Sequence, residues 1–400
     1  MTGQVVLAGA SVRSLAESAV AAGLQPVCAD FFGDRDLLEL LQSCGGRFLG
    51  RLRSFADLPQ LLKTLPVAIP LCWAGGLENS PEVLEELHAS GRPVLGSRPA
   101  AVSAVRQWRN LSRWIAGTGV GFPETVAAGA ELRDDAWLLK PERSAGGAGV
   151  FRCRDREESL RGVNSAATLW QRYVEGMPIS MMFFMMSGCA RLLGASLQFC
   201  GWPSLGAGQR EFLWCGNGGP VVLSGELQRQ ATAAASAIAA GAGLRGVCGL
   251  DFILSAGKLW LLEVNPRIPA SHWIYDSHRS GLSLRLQLGG DLAEPATTVQ
   301  GGFRLQLIVW HPEQGAAAGA MPDRDCLPDG VRLADLPDVM DVTDTEPGSP
   351  AFSVLLESCS TDGALQVLRQ AGLSSGAGGE FWRQASVDFE PVLQSFLRHL

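Results

Sequence analysis

Short apolar runs alternating with amphipathic stretches organise the first hundred residues. Gln4 to Ala8 is an apolar run of strand length, Gly9 to Ser11 supplies a turn, and Val12 to Ala22 carries the spacing of a surface helix that stops at Gly23. Gln25 to Ala29, Val67 to Leu71 and Pro93 to Leu95 read as further strands, with a helix over Pro81 to Ser90. Alternating β and α units predict a parallel sheet, whose ligands gather at the carboxyl ends of its strands. The loops Gly9 to Arg13 and Gly75 to Asn79 fall there. Ser11 and Arg13 flank a helix start suited to an anion, and Glu78, beside Asn79, suits a cationic amine; ordinary βα turns account for the same residues equally well. Asp30, Asp34 and Asp36 occupy the loop after the second strand, and the absence of GxGxxG argues against a dinucleotide site.

The middle of the chain changes period. After a helix over roughly Ala100 to Gly117, Ala136 to Lys140 is a strand ending in a lysine, Pro141 to Gly149 (PERSAGGAG) is glycine-rich, and Val150 to Cys153 is a strand again. Strand, loop, strand excludes the P-loop, which opens a helix, and suits a flap whose N–H groups close over phosphates; a plain turn has the same composition. Leu169 to Val174 reads as a strand turning at Glu175 and Gly176, and Pro178 to Met186 with Ala190 to Cys200 as a hairpin. Met181, Met182, Met185 and Met186 read as core filler. Gly201 to Gly219 is expected to be a loop, Glu226 to Ala240 and Leu282 to Leu288 helices.

Val247 to Arg267 breaks the apolar pattern in a specific way. Cys248 to Leu254 and Leu259 to Asn265 are strand-like, with Ser255, Ala256 and Gly257 as the turn, so Glu263 and Asn265 share a face. A three-residue loop pairs Leu254 with Lys258 and brings Asp251 to that face; a two- or four-residue loop turns it away. Two carboxylates and an amide oxygen form the hard-oxygen set that holds Mg²⁺ beside phosphates. The alternative is a structural ion pair with Arg267 or Lys258.

Composition narrows the classes. With 46% hydrophobic and 18% charged residues the chain is globular, and a net charge of -7 gives no basic footprint for nucleic acid. Ten cysteines without a CxxC pair indicate neither zinc nor a disulfide framework, and we expect reduced thiols and a cytoplasmic protein. The most apolar stretch, Met177 to Cys200, is interrupted by Ser187, Gly188 and Arg191, so no membrane partner is expected.

Asp251 with Glu263 and Asn265 in EVNPR, LKP followed by SAGGAG, and LWQRYV between them resemble the metal hairpin, lysine with glycine loop, and adenine hinge of the ATP-grasp superfamily. The resemblance implies that Lys140, Ser144, Gly146, Gly147 and Gly149 hold ATP, and that Gln171, Tyr173 and Val174 face adenine. It further implies that Asp251, Glu263 and Asn265 bind two Mg²⁺, with Mn²⁺ able to substitute, and that Arg267 steadies the transferred phosphoryl group. Two departures stand out: Arg109 occupies the place of a nucleotide-contacting lysine, and Pro178 and Ser180 replace an acidic ribose ligand. GASVRSLAESAVAAG, FFGDRD, PASHW, ADLPD and EPGSP extend the likeness to a prokaryotic group described as predicted ATP-dependent carboligases related to biotin carboxylase, some associated with methanopterin or methanofuran one-carbon metabolism.

The implied architecture is α/β and α+β: a Rossmann-like parallel sheet over 1–100, an ATP-grasp fold over 101–300, and a small α+β extension over 301–400. In the extension Arg304 to Val309 and Ser353 to Glu357 read as strands and Thr361 to Gln370 as a helix, with Pro337, Pro347 and Pro350 breaking the interval between the strands. The implied reaction joins a small-molecule carboxylate to an amine, and a homodimer is compatible with it. No biotin-carrier motif is present, which favours amide ligation over carboxylase chemistry; an ATP-binding regulator without ligase activity is the other alternative.

Overall fold

The computed structural model describes residues 3–127, 136–153, 168–276, 281–290, 302–311, 327–337, 348–358, 360–373, 385–392 and 394. The expectation at Pro347, the end of ADLPD and the start of EPGSP lie outside them. Four parallel strands open the chain: β1 Gln4–Ala8, β2 Gln25–Asp30, β3 Arg47–Arg51 and β4 Leu71–Trp73, in the order β3-β2-β1-β4. β1 is buried from Val5 to Ala8 and lies between β2 and β4, which is why those four residues are all apolar. Three details depart from the pattern-based reading. The strand expected from Val67 begins at Leu71, because Pro66 and Pro70 break the run and Val67 is exposed. Pro93 to Leu95 contributes a single bridge, Leu71 to Val94, and the helix over Ala100 to Gly117 is two, Pro99–Val105 and Trp108–Trp114. β3 and the helix Arg35–Cys44 were not anticipated; RFLGR is an edge strand without a buried position.

A second four-stranded sheet comprises β5 Thr125–Ala127, β6 Trp137–Pro141, β7 Phe151–Arg152 and β8 Thr168–Arg172, ordered β5-β8-β6-β7. The largest sheet has eight strands: β9 Met177–Met186, β10 Cys189–Cys200, β11 Trp214–Gly219, β12 Gly246–Ser255, β13 Lys258–Asn265, β14 Phe303–Trp310, β15 Val331–Ala334 and β16 Pro350–Ser358. Their order is β13-β12-β9-β10-β11-β14-β16-β15. The strands beyond residue 301 therefore extend this sheet instead of standing apart. β11 joins them through a stretch expected to be loop: its glycines conceal a strand, and at Gly216 any Cβ would overlap the carbonyl oxygen of Gln306 on β14.

The big sheet buries both faces. On one, Met181, Phe183 and Met185 meet Ala231, Ala234, Ala235 and Ile238 of the helix Gly225–Ala242, whose small side chains allow close approach to β9 and β10. On the other, Met182 and Phe184 meet Leu15, Trp273 and Tyr275, so the first unit docks by an apolar core. Met186, expected in the core, is 54% exposed at the hairpin end. No helix among the described residues is long and apolar enough to cross a membrane.

A buried cation fixes the connection into β4. The Arg92 guanidinium, 6% exposed, donates to the carbonyls of Leu62, Leu65, Pro66 and Ile69 at 2.7–3.3 Å. These include the carbonyl of Leu62 at the end of the helix Leu58–Leu62, where the guanidinium adds to the single backbone bond from Leu65 N–H. Arg92→Met keeps the stem and removes the donors, and should lower the unfolding free energy by about 2–4 kcal/mol. The urea midpoint at constant slope measures this, and an unshifted midpoint would mean that water replaces the guanidinium without loss.

Candidate active site

The hairpin β12–β13 brings the proposed metal residues together by a route the sequence did not reveal. Ala256 and Gly257, both at positive φ, form a two-residue turn with Ser255 opposite Lys258. Continued evenly, that register would set Asp251 opposite Leu262, on the wrong face. A bulge between Asp251 and Phe252 in the ladder leaves Leu262 unopposed and sets Asp251 directly across from Glu263. The expected pairing of Leu254 with Lys258 is thus corrected to Leu254 with Leu259, yet the intended face is reached. Gly249 lies opposite Asn265, which leaves room for the Asn265 amide to donate to Asp251 Oδ2 at 2.9 Å.

Asp251 is buried, its Oδ1 has no hydrogen-bond partner, and burial followed by the charge of Glu263 pushes its carboxyl above the usual range. Neither cation considered as a structural counter-ion neutralises the pair directly. Arg267 donates twice to Glu78 Oε1, at 3.0 Å each, and at 3.3 Å to Asn265 Oδ1. Lys258 sits 4.3 Å from the ring centre of Trp260. An orphaned carboxylate oxygen beside a second carboxylate and an amide is a donor set that fits a divalent cation. Among the described residues no three His, Cys, Asp or Glu side chains are grouped for a metal, so the amide is needed to complete the set.

These groups line a cavity of about 1110 Å³. Lys140, at the end of β6, donates to Gln171 Oε1 at 3.1 Å, and Gln171 donates to Thr125 Oγ1. Burial lowers the Lys140 pKa while Glu263 and Asp251 oppose that shift. Ser144, Gly146 and Gly147 line the cavity; Gly149 does not, and shapes the turn at φ +74 against Pro141. The flap is docked: Trp214 N–H donates to the Gly146 carbonyl at 2.9 Å, and a Cβ on Gly147 would overlap the Phe212 carbonyl. Gln171, Tyr173 and Val174 line the same space, with Arg152 stacked 3.8 Å from the Tyr173 ring centre and paired with Glu211. Arg109 is exposed, stacks on Trp108, and does not line the cavity.

Ser180, across from Asp251 on β9, and Gln198, Asn217 and Gln306 on β10, β11 and β14 also line the cavity. Apart from Ser180, weighed only as a departure at the ribose position, none had been singled out. Their signal is the one that exposed the hairpin, a polar side chain inside an apolar strand, as in SLQF and RLQLIV.

The rim residues have different employment from that expected. The loops at Ala10 and Gly75 do share one rim, joined by Ala10 N–H to the Gly75 carbonyl at 2.7 Å. Ser11 and Arg13 line the cavity, but Arg13 is 1% exposed and spent on Asp335 at 2.7 Å, Glu17 at 3.0 Å and Asp36 at 3.4 Å. Glu78 is buried and holds Arg267, and Asn79 accepts from Arg106 at 2.9 Å. An anion at Arg13 or an amine at Glu78 would have to displace these pairs. Asp34 was noted only as a loop residue. It is 5% exposed at the start of the helix Arg35–Cys44, makes no capping bond, and leaves Oδ2 unpartnered. Burial, then Asp335, Asp30 and Asp36, push its carboxyl up to about 8.

Residues 107–271 match the family model described as the ATP-grasp domain. The carbamoyl phosphate synthase large chain of Clavibacter sepedonicus is 25% identical over 260 residues, which are 60% of this chain and 22% of that protein. The D-alanine–D-alanine ligase of Fusobacterium nucleatum is 24% identical over 198 residues, 48% of this chain and 66% of that one. The chain thus spans about a fifth of the length of the carbamoyl phosphate synthase large chains it matches. N5-carboxyaminoimidazole ribonucleotide synthetase from Thermus thermophilus superposes with a TM-score of 0.67 at 17% identity, covering 93% of this chain and 99% of that one. Biotin carboxylase from Campylobacter jejuni, solved as a β,γ-ATP complex, gives 0.65 at 14%, covering 92% and 90%. These likenesses establish the fold across nearly the whole chain.

The Asp34 shift has a signed consequence for stability. Between the usual carboxyl value and about 8 the native state keeps a proton that the unfolded chain has lost, so stability falls as pH rises through that window and levels off above it. Asp34→Asn removes the titration. Its thermal midpoint should match the parent near pH 4 and exceed it near pH 9 by a few kcal/mol equivalent, at about 1.4 kcal/mol per pKa unit. Parallel midpoint curves across that range would show that Asp34 ionises freely in the folded protein.

Proposed function

We propose that the chain is an ADP-forming ligase that activates a small-molecule carboxylate with ATP and joins it to an amine. The observation that carries the reading is the convergence on one cavity of Asp251, Glu263 and Asn265 with Lys140 and the docked glycine flap. The matched ATP-grasp domain and the relatives named carbamoyl phosphate synthase and D-alanine–D-alanine ligase support it.

In this reading the Lys140 ammonium, partly buried and held by Gln171, meets the nucleotide phosphates, which answer the charge that its burial leaves under-solvated. Gly146 and Gly147 keep the flap backbone close to β11, and Gln171, Tyr173 and Val174 form the adenine side. Asp251, Glu263 and Asn265 would hold Mg²⁺, or Mn²⁺ in its place, which when bound neutralises charge on the β- and γ-phosphates. Arg267, fixed by Glu78, directs its remaining donor capacity at the transferred group. A substrate carboxylate oxygen takes the γ-phosphoryl group as its bond to ADP breaks. The amine nitrogen then attacks the acyl carbon, phosphate leaves, and the nitrogen gives up a proton. We further propose a cytoplasmic enzyme, compatible with a homodimer, in the biosynthesis of a one-carbon cofactor. That setting follows from the sequence resemblance alone.

ADP release measured against pools of carboxylates and amines, including glutamate and one-carbon cofactor precursors, tests the class. Release should require both an acid and an amine. Glu263→Gln, near-isosteric, should lower Mg²⁺-dependent turnover by about a hundredfold or more while circular dichroism and thermal midpoint stay close to those of the parent. Turnover equal to the parent's would remove Glu263 from the metal set, and ADP release indifferent to every acid and amine would remove the ligase reading.

A further inference from the structure

Where the loop after β2 meets the segment following β15, four carboxylates converge: Asp30, Asp34, Asp36 and Asp335. Three are fully engaged. Asp30 accepts from the N–H groups of Val12, Phe32 and Gly33, Asp36 from those of Asp335 and Leu336, and Asp335 from Arg13. Asp34 is the exception, buried at a helix start whose amides it does not cap, with Oδ2 unpartnered and the side chain at the cavity wall. Elsewhere on the wall of the same cavity, Ser271 Oγ, His272 Nε2 and Gln306 Oε1 are likewise buried and without partners, at 2%, 3% and 6% exposure.

Buried polar atoms are ordinarily satisfied, so several orphans around one cavity mark where a ligand supplies the missing bonds. Its chemistry follows from the charges. Arg13 is paired with Asp335, Glu17 and Asp36, and the carboxylates of Asp335, Asp30 and Asp36 outweigh it at Asp34, so the environment of Asp34 is negative. An anion is therefore disfavoured. The carboxylates are not grouped to chelate a metal. A cation with N–H donors fits: it answers the charge of the ionised Asp34 and donates a hydrogen bond to the unpartnered Oδ2.

We propose that Asp34 anchors a subsite for a primary ammonium group on the co-substrate of the ligation. The word co-substrate rests on the ligase reading, whereas the binding event does not. Because the Asp34 carboxyl is held protonated near neutrality in the free protein, capture of an ammonium ion converts it to carboxylate and releases one proton to solvent.

The probe is n-butylammonium chloride, titrated calorimetrically into the full chain at pH 7 in buffers of different ionisation enthalpy. The parent should bind it with release of about one proton, and should bind n-butanol and tetramethylammonium at least tenfold more weakly, equivalent to about 1.4 kcal/mol. Asp34→Asn should lose at least tenfold in butylammonium affinity and the proton release, with ATP affinity unchanged. Asp34→Ser, which retains a good helix-start residue, guards against misfolding and should behave as Asp34→Asn does. Equal affinity for butylammonium in parent and either folded variant overturns the subsite, as does equal binding of the alcohol or the quaternary ion, or no binding of butylammonium to the parent. Trapping with hydroxylamine, a neutral nucleophile, separates this from the ligase reading. Acid-dependent hydroxamate without Asp34-dependent ammonium binding leaves a ligase and removes the subsite. Asp34-dependent binding without hydroxamate from any acid leaves the subsite and removes the ligase.

Discussion

A buried carboxylate facing a second carboxylate is tolerable only where something else answers the charge, and Asp251 beside Glu263 sets that condition for the rest of the molecule. The ladder places them in register through a bulge instead of even pairing, and bulges persist where they aim a side chain. Asn265 donates to Asp251, Arg267 donates to Asn265, and Glu78 fixes Arg267, so the charge on the hairpin is connected by successive hydrogen bonds to the first unit of the fold. Removing Asn265 would leave buried Asp251 without its donor, which is more damaging than the loss of one hydrogen bond.

The cavity exists because separate stretches of chain close on one another through interactions of that kind. Arg13, at the start of the first helix, reaches Asp335 far along the sequence, while Met182 and Phe184 of the big sheet pack against Leu15. The flap is held by Gly146 and Gly147 against β11, and β11 is held by Gly216 against β14. Strands beyond residue 301 are thereby structurally required: without β14, the strand that receives the flap has no outer neighbour.

What was legible in the sequence were the places where local chemistry departs from local structure. EVNPR and LKP with SAGGAG stood out because carboxylates, an amide and glycines interrupt apolar strands, and Glu263, Asn265, Lys140, Gly146 and Gly147 do line one cavity. Gln198 and Gln306 carry the same signal more weakly, since glutamine in a strand is common on solvated faces and only the sheet order shows that these face inward. The two-residue turn and its compensating bulge were illegible, because a bulge is decided by packing on both sides of a strand. β11 was hidden by glycines that look like loop and are there for close backbone contact. The loops that carry Arg13 and Glu78 do meet, but the partners of those side chains, Asp335 and Arg267, are too distant in sequence for any local pattern to disclose.

Those long-range pairs also give the cavity an electrostatic asymmetry. Lys140 and Arg267 bring positive charge among the carboxylates of the hairpin, and in the proposed reading that region takes the polyanion together with its counter-ions. At the rim the cation Arg13 is overmatched by Asp335, Asp36 and Glu17, and Asp34 has no cation of its own. Unit charges 4 Å apart interact by about 4 kcal/mol at the effective dielectric of a protein surface, and salt screens over about 8 Å, so each region governs its immediate contents. A ligation that brings a nucleotide polyphosphate and an amine into one chamber must keep the cation from pairing with the phosphates before the acid is activated. In the proposed ligase the carboxylate-rich rim would meet that requirement, with Asp34 gaining its charge only as the cation arrives.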